Sequence, residues 1–243
     1  MKYNAVKRAI FCRRINRFLG EVLLGDEKIT VHIKNTGRCR ELLVEGASVY
    51  LSKASLGNRK TAFDLIAVIK RKEDGSDLLI NMDSQAPNAV VASFLPQSGI
   101  FSESAVYKRE VNFGKSRFDF YVEDRGRKAF LEVKGVTLEE DGCALFPDAP
   151  TQRGAKHLKE LADAVKIGYE AYVLFLIQMK GCTWFTPNHK TDPVFCEALR
   201  EAVRGGVQAL AFDCRVLPDE MIPEQPIPIR LDSDLIPFGS ERQ

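Results

Sequence analysis

The apolar and polar positions of residues 6–82 read as strands only, separated by turn residues, with no helical stripe among them. Candidate strands run over 6–24, 28–34, 47–53, 61–72 and 77–83. Gly25-Asp26-Glu27, Gly46, Gly57-Asn58 and Asp74-Gly75-Ser76 supply the turns between them. Five short strands, the first long and bent at Gly20, predict a small closed barrel, with an OB-fold as the leading choice.

The pattern then changes. Residues 84–100 read as a connector in which Pro87 and Pro96 bracket a short helix, NAVVASFL. Strands follow at 106–113, 117–123 and 128–134. A helix is predicted at 151–168, a buried strand at 170–178, a second helix at 192–204 and a strand at 207–213. Strands mixed with helices imply a mixed sheet. The tail from Pro218 is predicted to wrap the surface, with one edge strand at 226–231. The whole is an α+β chain of two domains, 1–85 and 86–243.

Charge sharpens the division. The net charge is only +2, but residues 1–85 hold 16 Lys and Arg against 10 Asp and Glu, and the remainder holds 19 against 23. A basic first domain points to a polyanionic partner such as nucleic acid, or else to a solvated strand face. The six cysteines form no C-x-x-C pair and are widely scattered, which argues against a zinc site and a disulfide framework. Reduced, buried thiols in a cytoplasmic protein are expected. The apolar run AYVLFLI at 171–177 is too short to span a bilayer, and Arg13, Arg14 and Arg17 break up any signal-peptide core. No G-x-S-x-G or G-x-G-x-x-G occurs. Gly114-Lys115-Ser116 fails as a phosphate loop because Arg109 stands where its first glycine is needed.

The candidate chemistry lies in RFDFYVEDRGRKAFLEVKGVTL, residues 117–138. Asp119 and Glu132 fall inside predicted strands joined by a tight hairpin, so they can face each other across the ladder. Glu132 and Lys134 share a strand face. Two carboxylates ~5 Å apart repel by roughly 3 kcal/mol at an effective dielectric near 20. A divalent cation relieves that repulsion, and two carboxylates with retained waters suit Mg²⁺ or Mn²⁺. D-x(12)-E-V-K therefore reads as a metal-dependent phosphodiesterase site with metal ligands Asp119 and Glu132 and a catalytic Lys134. The bland alternative is a Glu132–Lys134 ion pair on an exposed edge strand. In the helix that follows, Leu158, Leu161, Ala162 and Val165 form one side. Arg153, Lys156, His157 and Glu160 form a polar ridge on the other, suited to phosphates near the cation or simply to solvent. Thr151 is the expected N-cap. In the barrel, Arg38 and Arg40 follow Asn35-Thr36-Gly37 in a loop after a strand, and these positions are candidates to bracket a phosphate.

Five strings carry a resemblance: NTG at 35–37, RFDF at 117–120, LEVKGVTL at 131–138, FPDAPTQRG at 146–154 and KHLKEL at 156–161. Together they resemble the sugar fermentation stimulation protein A (SfsA) family over nearly the whole chain. The resemblance implies an N-terminal OB-fold joined to a PD-(D/E)XK nuclease-like domain, DNA binding, and a link to maltose metabolism. It makes Asp119, Glu132 and Lys134 the nuclease acids and lysine, with Arg153, Lys156 and His157 as supporting polar residues. Two readings stand: a DNA-binding, Mg²⁺-dependent nuclease, or a non-catalytic DNA-binding transcriptional regulator of sugar metabolism. RNA is a further partner to weigh. The sequence is silent on oligomeric state.

Overall fold

The computed structural model describes residues 1–35, 37, 39–54, 61–231 and, for the backbone alone, 235–236. The first sheet holds β1 (Lys7–Arg14), β2 (Leu19–Leu24), β3 (Glu27–Ile33), β4 (Ser48–Lys53), β5 (Phe63–Arg71) and β6 (Asp77–Asn81). Its order is β3-β2-β1-β4-β5-β6, and a parallel β3–β5 pairing through His32↔Asp64 and Ile33↔Leu65 closes the first five strands into a barrel. This is the expected OB-fold, with a difference in its strands. The predicted single strand 6–24 is an antiparallel hairpin, β1–β2. Asn16 reverses the chain: its Oδ1 accepts from the backbone N–H of Phe18 (2.8 Å) and Leu19 (3.0 Å), the local turn chemistry of asparagine. The segment near 77–83 becomes β6, a sixth strand added to β5 outside the ring.

The second unit begins with α1 (Ala86–Phe94), then the meander β7 (Val106–Phe113), β8 (Ser116–Asp124) and β9 (Arg127–Val136). A small sheet opens with β10 (Leu138–Glu140) and β11 (Cys143–Phe146). After it come α2 (Gln152–Lys166), β12 (Glu170–Ile177), β13 (Trp184–Pro187), α3 (Pro193–Arg204) and β14 (Gln208–Leu217). The described chain ends with β15 (Glu220–Pro226), β16 (Ile229–Arg230) and β17 (Leu235–Ile236). The main sheet runs β15-β14-β12-β9-β8-β7, antiparallel at both ends and parallel through β9, β12 and β14. A second sheet, β10-β11-β13-β16-β17, was foreseen only in β16, which falls in the strand expected at 226–231; its other strands are two to four residues long and carry no measurable period. The tail after Pro218 also departs from expectation: much of it is β15, an edge strand. Pro223 and Pro226 are tolerated there because an edge strand need not donate on its outer side.

Apolar residues of β8, β9 and β12 alternate between two cores. Phe130, Val173 and Phe175 face α2 and join the barrel interior in one cluster, while Leu131, Leu174 and Leu176 pack with Val90 and Val91 of α1 in the other. Thr151 caps α2 as predicted, its hydroxyl accepting from Gly154 N–H at 3.0 Å. Asp192 caps α3 and also takes the N–H of Thr151 (2.7 Å), tying the two helix starts together. The units are joined by backbone as well as side chains: Asn81 N–H donates to Gln178 O at 2.9 Å. No helix among the described residues is long and apolar enough to cross a membrane.

Candidate metal and phosphate site

β9 lies inside the main sheet, and of the acids on β8 and β9 Glu132 is buried and Asp119 half-buried, while Glu123 faces solvent. Arg125 and Gly126, both at positive φ, make the hairpin turn, and the ladder runs from Asp124↔Arg127 to Phe120↔Leu131. It stops one rung short of Asp119 and Glu132. There the strand rotates: Phe120 packs in the α1-side core, whereas Phe118 packs on Phe130 and His157 on the α2 side. Asp119 sits at this switch. Its Oδ2 accepts Val133 N–H at 2.8 Å, satisfying a donor that the departing backbone has left open. Its Oδ1 accepts from Asn88 Nδ2 of α1 at 2.6 Å. Burial, then the neighbouring Glu132 charge, raises the Asp119 carboxyl above the ordinary aspartate value.

Glu132 is 4% exposed. One oxygen, Oε1, takes both of its partners, Lys134 Nζ at 2.7 Å and His157 Nδ1 at 2.6 Å. The tautomer of His157 follows from its other nitrogen. Arg153 Nε, which can only donate, lies 3.3 Å from Nε2, so Nε2 accepts and Nδ1 carries the proton that it donates to Glu132. Burial pushes the Glu132 carboxyl upward, but the His157 hydrogen bond and the Lys134 charge outweigh it, and the net direction is down. The acid is therefore held ionised. Its second oxygen, Oε2, is buried and has no hydrogen-bond partner among the described residues. An ionised oxygen left bare in the interior costs several kcal/mol unless something positive meets it.

The exposed edge-strand ion pair is excluded, since β9 lies between β12 and β8 and the Lys134 side chain is 13% exposed. The helical ridge is split by the structure. His157 is buried against Glu132, because this part of the polar face lies under β8 and β9 instead of facing solvent. Arg153 reaches the acids only through His157. Lys156 turns away, its Nζ on Lys115 O at 2.8 Å and on Glu160 at 3.6 Å. Asn35 lies apart from the carboxylates, in a cleft between the two units. Arg40 is exposed in the loop beyond it, and Arg38 lies outside the described residues. Asn88 was missed; its only signal is an amide side chain in the first turn of a mostly apolar helix.

The donor set suits a hard cation. Glu132 Oε2 and the Asp119 carboxylate offer oxygen atoms only, and Mg²⁺ keeps waters and needs just one or two carboxylates. Among the described residues no third His, Cys, Asp or Glu completes a protein-only cage, so a soft or closed site of the zinc type does not fit.

Residues 85–220 match the family described as sugar fermentation stimulation protein RE domain, and residues 12–80 match the SfsA N-terminal OB domain. The chain belongs to the sugar fermentation stimulation protein family. Among its relatives, the sugar fermentation stimulation protein homolog of Desulfitobacterium hafniense (strain Y51) is 52% identical over 221 residues, covering 91% of this chain and 94% of that one. The homolog of Ruminiclostridium cellulolyticum is 48% identical over 231 residues, covering 95% and 100%. In three dimensions the chain is similar to Pyrococcus furiosus SfsA, solved in complex with Ca²⁺. The TM-score is 0.81 at 28% identity, over 95% of this chain and 98% of that one. The family match and the barrel topology agree on an OB domain followed by a mixed-sheet domain of the nuclease-like kind.

Proposed function

We propose that this SfsA-family protein is a divalent-metal-dependent nuclease that binds DNA through both units and cleaves it at Asp119, Glu132 and Lys134. The observation that carries this reading is Glu132 Oε2, a buried ionised oxygen with no partner among the described residues, beside a second half-buried carboxylate. Two further facts support it. The P. furiosus relative was solved with Ca²⁺, an oxygen-seeking cation like Mg²⁺. The basic surplus lies in the barrel unit.

Each side chain has a role. Asp119 and Glu132 hold Mg²⁺ or Mn²⁺. When bound, such a cation polarises a phosphate oxygen and lowers the pKa of its water. His157 orients Glu132 by occupying Oε1, which leaves Oε2 for the metal, as a partner behind a metal ligand commonly does. Asn88 orients Asp119 in the same way. Lys134 places a positive charge where a phosphate gathers negative charge in the transition state. Residues 1–85 act as the nucleic-acid-binding domain and 86–243 as the nuclease domain. The five buried cysteines and half-buried Cys12 are unpaired, which fits work in the cytoplasm.

The test is cleavage of single- and double-stranded DNA and of RNA by the full chain with Mg²⁺ or Mn²⁺, with Asp119→Asn as control. Metal-dependent cleavage lost in the variant is the expected result. Salt-sensitive DNA binding with no cleavage under any metal would favour the regulator of sugar metabolism, to which the relatives' name points.

A further inference from the structure

The two units meet in a cleft of about 320 Å³, at the carboxyl ends of the parallel strands β9 and β12. That is where open α/β sheets place their ligands. Gln178 forms part of its lining and is 1% exposed. Its Nε2 donates to Asn81 O (3.0 Å), Asn81 Oδ1 (3.1 Å) and Asp83 O (3.2 Å), so the amide is fixed. Its Oε1 is turned toward Gly135, where an added Cβ would stand only 2.4 Å away. Among the described residues Oε1 accepts no hydrogen bond. Asn35 is anchored the other way round: its Oδ1 takes Gly37 N–H at 2.7 Å, which leaves Nδ2 without a partner among the described residues. The buried Thr137 hydroxyl has none there either.

The cleft thus presents a fixed acceptor, a fixed donor and a hydroxyl that can be either. Among the described residues its charged members are Arg17 and the carboxylate of Asp148. A phosphate pocket would gather cations and exclude a carboxylate. A mixed donor and acceptor set in a cavity of small-ligand size suits the edge of a heterocyclic base. Gly135 lines the cleft and directly follows Lys134. A strand with its phosphate at Lys134 therefore has a base within reach of the cleft.

We propose that this cleft holds one unstacked nucleobase of the substrate, so that the protein acts on single-stranded DNA or on duplex from which a nucleotide has been turned out. The proposal rests on the nuclease reading. It is tested on the full chain carrying Asp119→Asn, which stops cleavage. The probe is a single-stranded oligonucleotide with 2-aminopurine walked along it, and a parallel series carries an abasic residue instead. One position should brighten on binding, and an abasic residue there should weaken binding. Asn35→Asp keeps the acceptor for Gly37 N–H but removes the donor. Thr137→Val keeps the shape but removes the hydroxyl. Either variant should lose the brightening while the strand still binds, so the failure of one to fold leaves the other decisive. Binding with no bright position and indifference to abasic residues everywhere overturns the pocket and leaves the nuclease reading standing. No binding of DNA at all overturns both. Brightening in a short duplex as well as in the single strand identifies the turned-out form.

Discussion

Two glutamates are almost equally shielded from solvent in this molecule and are treated differently, although Glu139 lies nearer the surface, beside an open cleft. Glu139 is 2% exposed and Glu132 is 4% exposed. Both carboxyls are pushed up by burial and brought down, on balance, by hydrogen bonds and nearby cations. At Glu139 the donors are spread over both oxygens: Lys70 Nζ on Oε2 at 2.7 Å, Gly142 N–H and Lys72 Nζ on Oε1 at 2.8 and 3.5 Å. At Glu132 they crowd onto Oε1 and leave Oε2 bare. Glu139 ties the barrel strand β5 to the second unit and is complete without a ligand. Burial of an acid therefore does not by itself suggest a metal site here; the proposed site rests on an uneven distribution of donors at Glu132 together with a second carboxylate, Asp119, beside it. Glu160 also has a bare buried oxygen, so the uneven distribution alone does not single out Glu132.

The sharpest way to break this comparison is to make the same substitution at both positions. Glu132→Gln should abolish cleavage and weaken Mn²⁺ binding in calorimetry by more than the ~10–100-fold that loss of an outer-shell partner produces. Its effect on stability should be the smaller of the two. Glu139→Gln should leave cleavage and metal affinity near wild type. It should destabilise the chain by about 2 kcal/mol, less than a fully buried broken pair because Lys70 and Lys72 reach water. Equal metal affinities in the two variants would show that the bare oxygen carries no function.

Acid and metal should separate the sites next. Asp119 has its proton affinity raised on folding, so its ionised form is penalised: that contribution to stability is lost as pH rises through the folded value. Glu139 is lowered, so its contribution is present above the ordinary glutamate value and lost as pH falls through the folded one. Asp119→Asn should therefore raise the Tm of the metal-free protein at neutral pH, with Asn88 able to turn its own oxygen toward the new amide. The same variant should lose the rise in Tm that Mn²⁺ confers on wild type. A lower Tm for the variant in chelator would remove the case for a metal-awaiting acid.

A gentler probe acts through the imidazole. His157→Gln leaves both carboxylates in place but loosens the hold on Oε1. Cleavage should fall on the order of tenfold, with metal affinity falling alongside. An unchanged rate would make His157 a packing residue that happens to touch Glu132.

Much of this was legible from residues, and the gaps have physical causes. The strand pattern of 6–82 gave the barrel, since a strand with one wet face writes its geometry into its sequence. It could not show the reversal at Asn16, because a two-strand hairpin and one bent strand alternate alike when the turn is short. D-x(12)-E-V-K located the carboxylates because buried strands exclude charge unless it has work. The free oxygen itself was invisible, since it depends on His157 approaching from α2. The i, i+3, i+4 stripe put Arg153, Lys156 and His157 on one ridge and left phosphate and solvent both open; helix packing draws only His157 of the three onto Glu132, while Lys156 turns to Lys115. Asn88, Gln178 and the cleft come from segments far apart in the chain, and no local pattern joins them.

The smallest expected effect belongs to Lys156, and it is the most informative null. By helical spacing Lys156 is as close to the site as its neighbours Arg153 and His157. In space its ammonium bonds to Lys115 O and faces Glu160, and the side chain is 48% exposed. The lysine is half-exposed, but the Glu160 side chain is only 16% exposed. A partly exposed pair of this kind is worth on the order of 1 kcal/mol, so Lys156→Ala should shift stability by about 1 kcal/mol or less. Cleavage should stay within about twofold of wild type, because a charge this far out is screened over roughly 8 Å at physiological salt. Arg153→Ala should do more, since its Nε fixes the tautomer through which His157 donates to Glu132. If Lys156→Ala instead cut cleavage as deeply as His157→Gln, the lysine would have to leave Lys115 and swing onto the substrate. The helix face would then act as one unit, as its sequence spacing suggests.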